Sequence, residues 1–273
     1  MNVNDFLAFY IKYHRRRSFR QKQQFLRNFS SDLRKSGLSV ERKDRTMIIG
    51  NKKAKIAILA DYHSFGELIV SAVYHPLKPL EWLRHHRNDK LLRIIIITIF
   101  SLIIYRSLAH FVLPLILITS VVNILFLYGK DNLKNFSNTA PLYIIRHIAK
   151  YHPDEIVCIL YDRKIRKYES AWLDTDLIIS LDRLAYGNKI LLSSQVDIPV
   201  PYEKNYFIHH KVPAETMISS ADLQPSIKLA TGFYEDLQFN CYDIDTRNDA
   251  SLDLKLLKEI NNFLNQLIKH YAK

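Results

Sequence analysis

Three short stretches combine groups that do chemistry with places where chemistry is commonly done. Each follows an apolar, β-prone run: residues 56–60 lead into Asp61-Tyr62-His63-Ser64, residues 156–161 into Asp162-Arg163-Lys164, and residues 177–181 into Asp182-Arg183. Carboxylates and an imidazole just past strand ends can ligate a metal ion or serve as general acid and base. A plainer role competes at each. Asp61 and Asp182 would cap the loops after their strands, which is the commoner fate of such residues. His63 by itself reads more readily as a hydrogen-bonded loop histidine than as a ligand. The basic run from Arg163 to Lys167 reads as a solvated loop or, functionally, as a contact for an anion or a partner. The two cysteines, Cys158 and Cys241, show neither zinc-site spacing nor a disulfide framework. With 6 glycines and no G-x-x-x-x-G-K or G-x-G-x-x-G pattern, glycine-rich phosphate loops are excluded.

The elements that must position these groups follow from periodicity. The first 36 residues read as helix: Ser18 is a cap, Phe25, Leu26, Phe29 and Leu33 share one face, and Gly37 is a stop. Residues 38–41 and 46–49 are β-like. The runs at 56–60, 156–161, 177–181 and 190–193 have the continuous apolar character of buried strands. Residues 140–151, 214–219 and 251–271 read as helices, the last with Leu252, Leu256, Ile260, Phe263, Leu267 and Tyr271 on one face. Strands alternating with helices predict an α/β fold, a three-layer sandwich with a mostly parallel mixed sheet. In such sheets ligand groups gather past the carboxyl ends of strands.

One segment interrupts this pattern. Residues 91–105 and 111–128 are apolar runs joined by Arg106-Ser-Leu-Ala-His110. The first has no polar stripe, unlike the helices of soluble proteins. At 1.5 Å per residue the two cover roughly 22 and 27 Å, against a hydrocarbon core of about 30 Å. They predict an inserted transmembrane helical hairpin, with Arg106 and His110 snorkelling at the far end and Trp82 and Tyr128 anchoring at the interface. A single long helix interrupted by Arg106 is the rival arrangement, at about 2.5–3.5 kcal/mol for the buried charge. A buried core hairpin of a soluble protein is the remaining alternative. Arg84, Arg87, Lys90 and Arg93 precede the hairpin, and Lys130 and Lys134 follow it. The positive-inside rule therefore places both ends, and the soluble domain, on the cytoplasmic side of the cell membrane. The N-terminus lacks the order of charged and apolar regions of a secretory signal.

The net charge is +12, and residues 1–60, with 15 Lys/Arg against 4 Asp/Glu, carry +11 of it. Arg15, Arg16 and Arg17, together with Arg93 and Arg106, read as a basic surface facing membrane lipid, in preference to nucleic acid. The domain division is 1–75 and 130–273 as two parts of one domain, with 76–129 as the insertion that carries the hairpin.

In order and spacing these motifs resemble the co-catalytic di-zinc aminopeptidase family, which includes bacterial aminopeptidases, glutamate carboxypeptidase and glutaminyl cyclase. The resemblance covers nearly the whole chain apart from the hairpin. It runs through the basic N-terminal helix, Asp61-Tyr62-His63-Ser64 for the family's His-x-Asp-Ser, and Ser180-Leu181-Asp182 for its Asn-Leu-Asp. Asp162 to Ser170 stands where the family has Asp-Glu-Glu-x-Gly-Leu-x-Gly-Ser, and Cys241 or Tyr242 stands near its last histidine, ahead of Asp245-Thr246. The family's Asp-Asn segment is matched by Asp131-Asn132, or further on by residues 137–140 with Ser137 at the bridging place. The resemblance implies two zinc ions and a glutamate base. Here the first His and Asp are exchanged, Arg163 and Lys164 replace the two glutamates, and Cys241 or Tyr242 replaces the last histidine.

Two cations in place of two carboxylates remove ligands and repel a divalent ion. Asp61, His63, Asp131, Arg163, Lys164, Asp182 and Cys241 are thus read as vestigial site positions, with no catalytic residue, no metal and no cofactor. The expected protein is a membrane-anchored, catalytically inactive, peptidase-like binding or accessory subunit of a membrane complex, such as a transporter or peptide-export system. Its partner would be another membrane protein or a peptide. The alternatives are an active metallohydrolase holding zinc through Asp61, His63, Asp131 and Asp182, and an anionic-lipid or nucleic-acid binder using the basic N-terminal helix.

Overall fold

Asn2 opens the first helix, its side-chain oxygen accepting the Asp5 N–H at 2.7 Å. Helix α1 (Val3–Tyr13) turns Phe6, Phe9, Tyr10 and Tyr13 inward. At Ser18 a second helix, α2 (Phe19–Lys35), begins on a capping box. The Ser18 hydroxyl accepts the Gln21 N–H, and the Gln21 side chain accepts the Ser18 N–H. The N-terminal helix expected from the sequence is therefore two helices, and the break between them lets Arg16 turn inward. The computed structural model describes residues 1–64, 73–107, 135–162, 175–213, 226–242, 244 and 249–272.

Strands β1 (Val40–Lys43) and β2 (Thr46–Gly50) form a hairpin around Asp44, whose φ of 52° lies in the left-handed region. The chain continues as β3 (Ile56–Asp61), α3 (Pro79–Ser107), α4 (Phe136–Tyr151), β4 (Ile156–Tyr161), β5 (Leu177–Leu181) and β6 (Lys189–Ser194). Strands β7 (Phe207–Lys211), β8 (Ile227–Glu235) and β9 (Gln238–Asn240) and helix α5 (Leu254–Tyr271) complete it. Among the described residues one nine-stranded sheet results, in the order β1-β2-β4-β3-β5-β8-β6-β7, with β9 paired to β8.

The fold is mixed α/β, and strands from both sides of the apolar segment share the one sheet. The parallel share is smaller than the sequence suggests. The middle strands β4-β3-β5-β8 are parallel, whereas β1, β2 and β6 join antiparallel and β7 runs parallel to β6. Strands β7, β8 and β9 escaped the pattern reading, because Lys228 and Gly232 interrupt the apolar character of β8.

Alternation along the strands splits the core. Ile56, Ile58 and Ala60 of β3 and Cys158 and Leu160 of β4 face helices α1, α2, α4 and α5. On the opposite face Leu191 and Ala230 meet Tyr74 and Trp82, so α3 begins on that side. Trp82, expected at a membrane interface, is 3 % exposed and packs edge-on against Tyr74. Helix α3 is longer than the first apolar run: it starts at Pro79 and continues through Arg106. Its Leu91, Ile95, Ile99, Phe100, Leu102 and Ile103 side chains are exposed. Among the described residues no helix is long and apolar enough to cross a membrane. The second apolar run at 111–128, including Tyr128, and the expected helix at 214–219 lie outside the described residues.

Candidate functional site

The register brings the expected positions to one end of the sheet. Asp61 at the end of β3 is level with Tyr161 of β4, and Ala60 is level with Leu181 of β5. Asp61, Asp162 and Asp182 thus stand together at the carboxyl ends of three adjacent parallel strands, where α/β sheets bind ligands. Their side chains divide between two ion-paired groups.

The first group lies on the face that carries α2. Lys22 Nζ is 2.6 Å from Asp162 Oδ1, and His63 Nδ1 is 3.4 Å from the same oxygen. Burial would raise the Asp162 carboxyl pKa, but the adjacent His63 imidazole and the Lys22 ammonium bonded to it outweigh this and hold the group well below the usual range. Asp61 closes a tight loop, its Oδ1 accepting the His63 N–H at 2.7 Å.

Beneath them is Arg16. The sequence suggested a membrane-facing residue; the structure buries it completely, because four acceptors surround it. Its guanidinium donates to the Tyr62 carbonyl at 2.9 Å, Thr139 Oγ1 at 3.1 Å, the Asn138 carbonyl at 3.3 Å and the Tyr13 carbonyl. Burial pushes its pKa down to about 10, against the pull of Asp61. Arg93, also expected on the surface, is 8 % exposed and bonds Asp89 at 2.7 Å one turn earlier on α3. Arg15 is exposed and Arg17 half-buried.

The second group lies on the face that α3 meets. Lys228 Nζ reaches Asp182 Oδ2 at 2.9 Å and donates to the Pro76 carbonyl at 2.6 Å. The Tyr74 hydroxyl donates to the same Asp182 oxygen. Burial raises the Asp182 carboxyl, yet Lys228, Arg183 and the Tyr74 hydroxyl together leave it lowered. Arg183 adopts φ 50°, lies over the Tyr74 ring at 5.7 Å and is 6 % exposed. Helix α4 helps to hold this loop. Pro141 lacks the N–H that would bond the Ser137 carbonyl, and the Leu184 N–H takes that carbonyl at 3.1 Å. Cys241 is 2 % exposed and donates to the Thr231 carbonyl at 3.1 Å; burial first, then the Asp182 charge, push its thiol pKa up. A protonated thiol is not a zinc ligand.

Sequence reasoning missed Lys22, Tyr74 and Lys228. None belongs to a motif, and only an unexpected lysine within an apolar run marked Lys228. Asp131, Arg163 and Lys164 lie outside the described residues, and Arg106 falls in the last turn of α3.

No protein-family model matches the chain, and no curated protein matches it. Its structure is similar to that of glutaminyl cyclase from Porphyromonas gingivalis, with a TM-score of 0.53, 9 % sequence identity, and coverage of 97 % of this chain and 96 % of that one. At that identity the likeness shows the fold alone, and the chain has a glutaminyl-cyclase-like α/β fold.

The zinc set implied by the sequence resemblance does not fit these side chains. Of that set, Asp182 is already matched by the Lys228 ammonium within 3 Å, as the neighbouring Asp162 is by Lys22. A divalent ion bound there would face that ammonium; even at 4 Å, two unit charges repel by about 4 kcal/mol at an effective dielectric of 20. Asp61 is engaged by its own loop, and among the described residues no three His, Cys, Asp or Glu side chains are grouped to hold a metal.

Proposed function

We propose that this protein is a membrane-anchored, catalytically inactive relative of the aminopeptidase and glutaminyl cyclase enzymes, working by binding within a membrane complex. The observation that carries the reading is the ammonium group seated on two of the three strand-end aspartates, Lys22 on Asp162 and Lys228 on Asp182. At Asp182 an internal cation stands where a metal enzyme of this fold would need an open carboxylate. The site is built for structural integrity, so a partner would be bound by shape and charge rather than transformed.

The anchor is the apolar insertion at residues 76–129. Supporting it are the exposed isoleucines, leucines and phenylalanine of α3, an apolar surface with no polar stripe. The basic flanks support a cytoplasmic side for the domain formed by residues 1–75 and 130–273. The class of partner that fits is another membrane protein, or a peptide presented at the bilayer.

The test is metal content and turnover. Full-length protein purified in mild detergent and dialysed against micromolar zinc is expected to retain well under one equivalent. It is also expected to leave aminoacyl and N-terminal glutaminyl peptides unchanged. About two equivalents of zinc, lost together with activity in Asp182→Ala, would overturn the reading in favour of an active hydrolase. For the anchor, alkaline carbonate extraction of native membranes is expected to leave the chain in the pellet.

A further inference from the structure

Two groups of exposed cations in the first 60 residues lie at opposite ends of the sheet, and the two groups differ. Thr46 of β2 is level with Tyr161, so the β1–β2 turn lies at the same end as the carboxyl ends of β3 and β4. The Tyr62 hydroxyl, bonded to the Arg45 carbonyl at 2.8 Å, ties the two together. Helix α2 also begins at this end, since Lys22 in its first turns reaches Asp162. Arg20, Arg42, Lys43 and Arg45 are therefore neighbours on one rim, and all are exposed.

Phe19 sits among them 65 % exposed, with the Arg45 guanidinium 6.0 Å from its ring centroid. Arg42 donates to the neutral Gln23 amide, and the exposed Asp44 in the turn sets one carboxylate among these four cations. At the other end, Lys52 pairs with Glu41 and Lys55 with Asp176.

The rim shares its end of the sheet with the approach to the apolar insertion. Tyr74, bonded to Asp182 at the end of β5, leads directly into α3. Strands β2 and β5 are three places apart in the sheet, about 14 Å at the ordinary strand spacing. The approach to α3 therefore lies at the same end of the sheet as this rim, and the Lys52–Lys55 end is opposite.

From this we infer that the rim of Phe19, Arg20, Arg42, Lys43 and Arg45 is a docking surface for anionic phospholipid headgroups, with Phe19 as its apolar wedge. The inference rests on the anchored reading of the protein. Guanidinium groups suit bidentate phosphate contacts, and an exposed ring flanked by cations suits the boundary between headgroups and acyl chains. Duplex nucleic acid would have use for the cations but none for the exposed ring. Each basic residue at an anionic surface contributes about a fivefold factor to the docking equilibrium, so three arginines contribute about a hundredfold.

The test uses the full chain reconstituted in vesicles of phosphatidylcholine alone or with 30 mol% phosphatidylserine. A fluorophore is attached at Phe19→Cys or, as control, at Lys53→Cys, and brominated lipids serve as quencher. Cys158 and Cys241 are 0 % and 2 % exposed, so labelling stays at the introduced position. The expected result is quenching at position 19 that depends on phosphatidylserine and falls with salt, with none at position 53. Arg20→Gln, Arg42→Gln and Arg45→Gln together should abolish it, whereas Lys52→Gln, Lys53→Gln and Lys55→Gln together should leave it unchanged. Equal quenching in both lipids, no quenching at position 19, or equal effects of the two triple variants would overturn the inference. So would loss of salt-sensitive oligonucleotide binding in the arginine variant with its lipid quenching intact. Carbonate resistance of the same vesicles reads the anchor separately. If carbonate strips the chain, the anchored reading fails, and the rim is then tested by flotation of that chain with each vesicle type, where equal flotation would overturn it.

Discussion

Replacing Lys228 by methionine removes the ammonium from Asp182 while keeping most of the side-chain volume. At 2.9 Å the gross attraction of the pair is about 6 kcal/mol at an effective dielectric of 20. The net effect is smaller, because both charges were desolvated to form it. Breaking one side of a buried pair costs about 3–5 kcal/mol. Here the Asp182 side chain keeps 23 % exposure and the Tyr74 hydroxyl, so the lower end, about 3 kcal/mol, applies. At roughly 2–4 °C per kcal/mol for a chain of this size, Lys228→Met should melt about 6–12 °C below the parent at pH 7.

The pH dependence identifies the cause. In the parent the Asp182 pKa is lowered, so its contribution is fully present above its unfolded value near 4 and is lost as pH falls through the folded value. In the variant the carboxyl loses the Lys228 contribution and its pKa rises relative to the parent's, so the penalty is full at neutral pH and shrinks as acid protonates Asp182. The gap in melting temperature should therefore narrow between pH 7 and pH 4, and Asp182→Asn in the Lys228→Met background should recover part of it. Circular dichroism melts in detergent measure both. A gap that is absent, or equal at the two pH values, or untouched by Asp182→Asn would refute the reasoning.

Further outcomes follow from the same geometry. Arg16→Met leaves the Tyr62 and Asn138 carbonyls and Thr139 Oγ1 without their donor inside the core, and should cost about 3 kcal/mol or more by thermal melt, with Arg16→Lys restoring little because one ammonium cannot span the same acceptors. Lys22→Met removes a partner from Asp162, whose lowered pKa contributes stability above about pH 4 that is lost toward more acid pH; acid unfolding of the variant, followed by circular dichroism, should shift to higher pH. Ser18→Ala opens the capping box of α2 and should cost about 1 kcal/mol, or 2–4 °C. Gly50→Ala combines a φ of 90° with a Cβ placed 2.5 Å from the Ile156 carbonyl oxygen, and should reduce the yield of folded protein sharply, as read by size-exclusion chromatography.

Much of the scaffold was legible without coordinates. Capping chemistry at Ser18, the apolar face of α5 and the buried runs of β3, β4 and β5 are local signals, because burial repeats with the period of the element. The same runs put Asp61, Asp162 and Asp182 at strand ends, where the structure finds them. Boundaries were weaker: α4 starts at Phe136 rather than 140, because Thr139 bonds the Asn135 carbonyl at 2.9 Å and Pro141 is tolerated early in the helix.

The partners of the charges belong to another class of information. Lys22 and Asp162 are 140 residues apart, Tyr74 and Asp182 108, and Arg16 and Tyr62 46. No periodicity records such pairs, so a basic N-terminal run read as uniformly surface-facing included Arg16, which the core encloses. Trp82 and Arg93 were misplaced for the same reason. The sequence by itself determined which residues stand at the ends of the strands, since chain-local alternation sets that. That lysines from distant elements occupy two of those carboxylates, and that Arg20, Arg42, Lys43 and Arg45 gather at the end of the sheet opposite Lys52 and Lys55, follows from strand order and direction, which fix which distant segments meet.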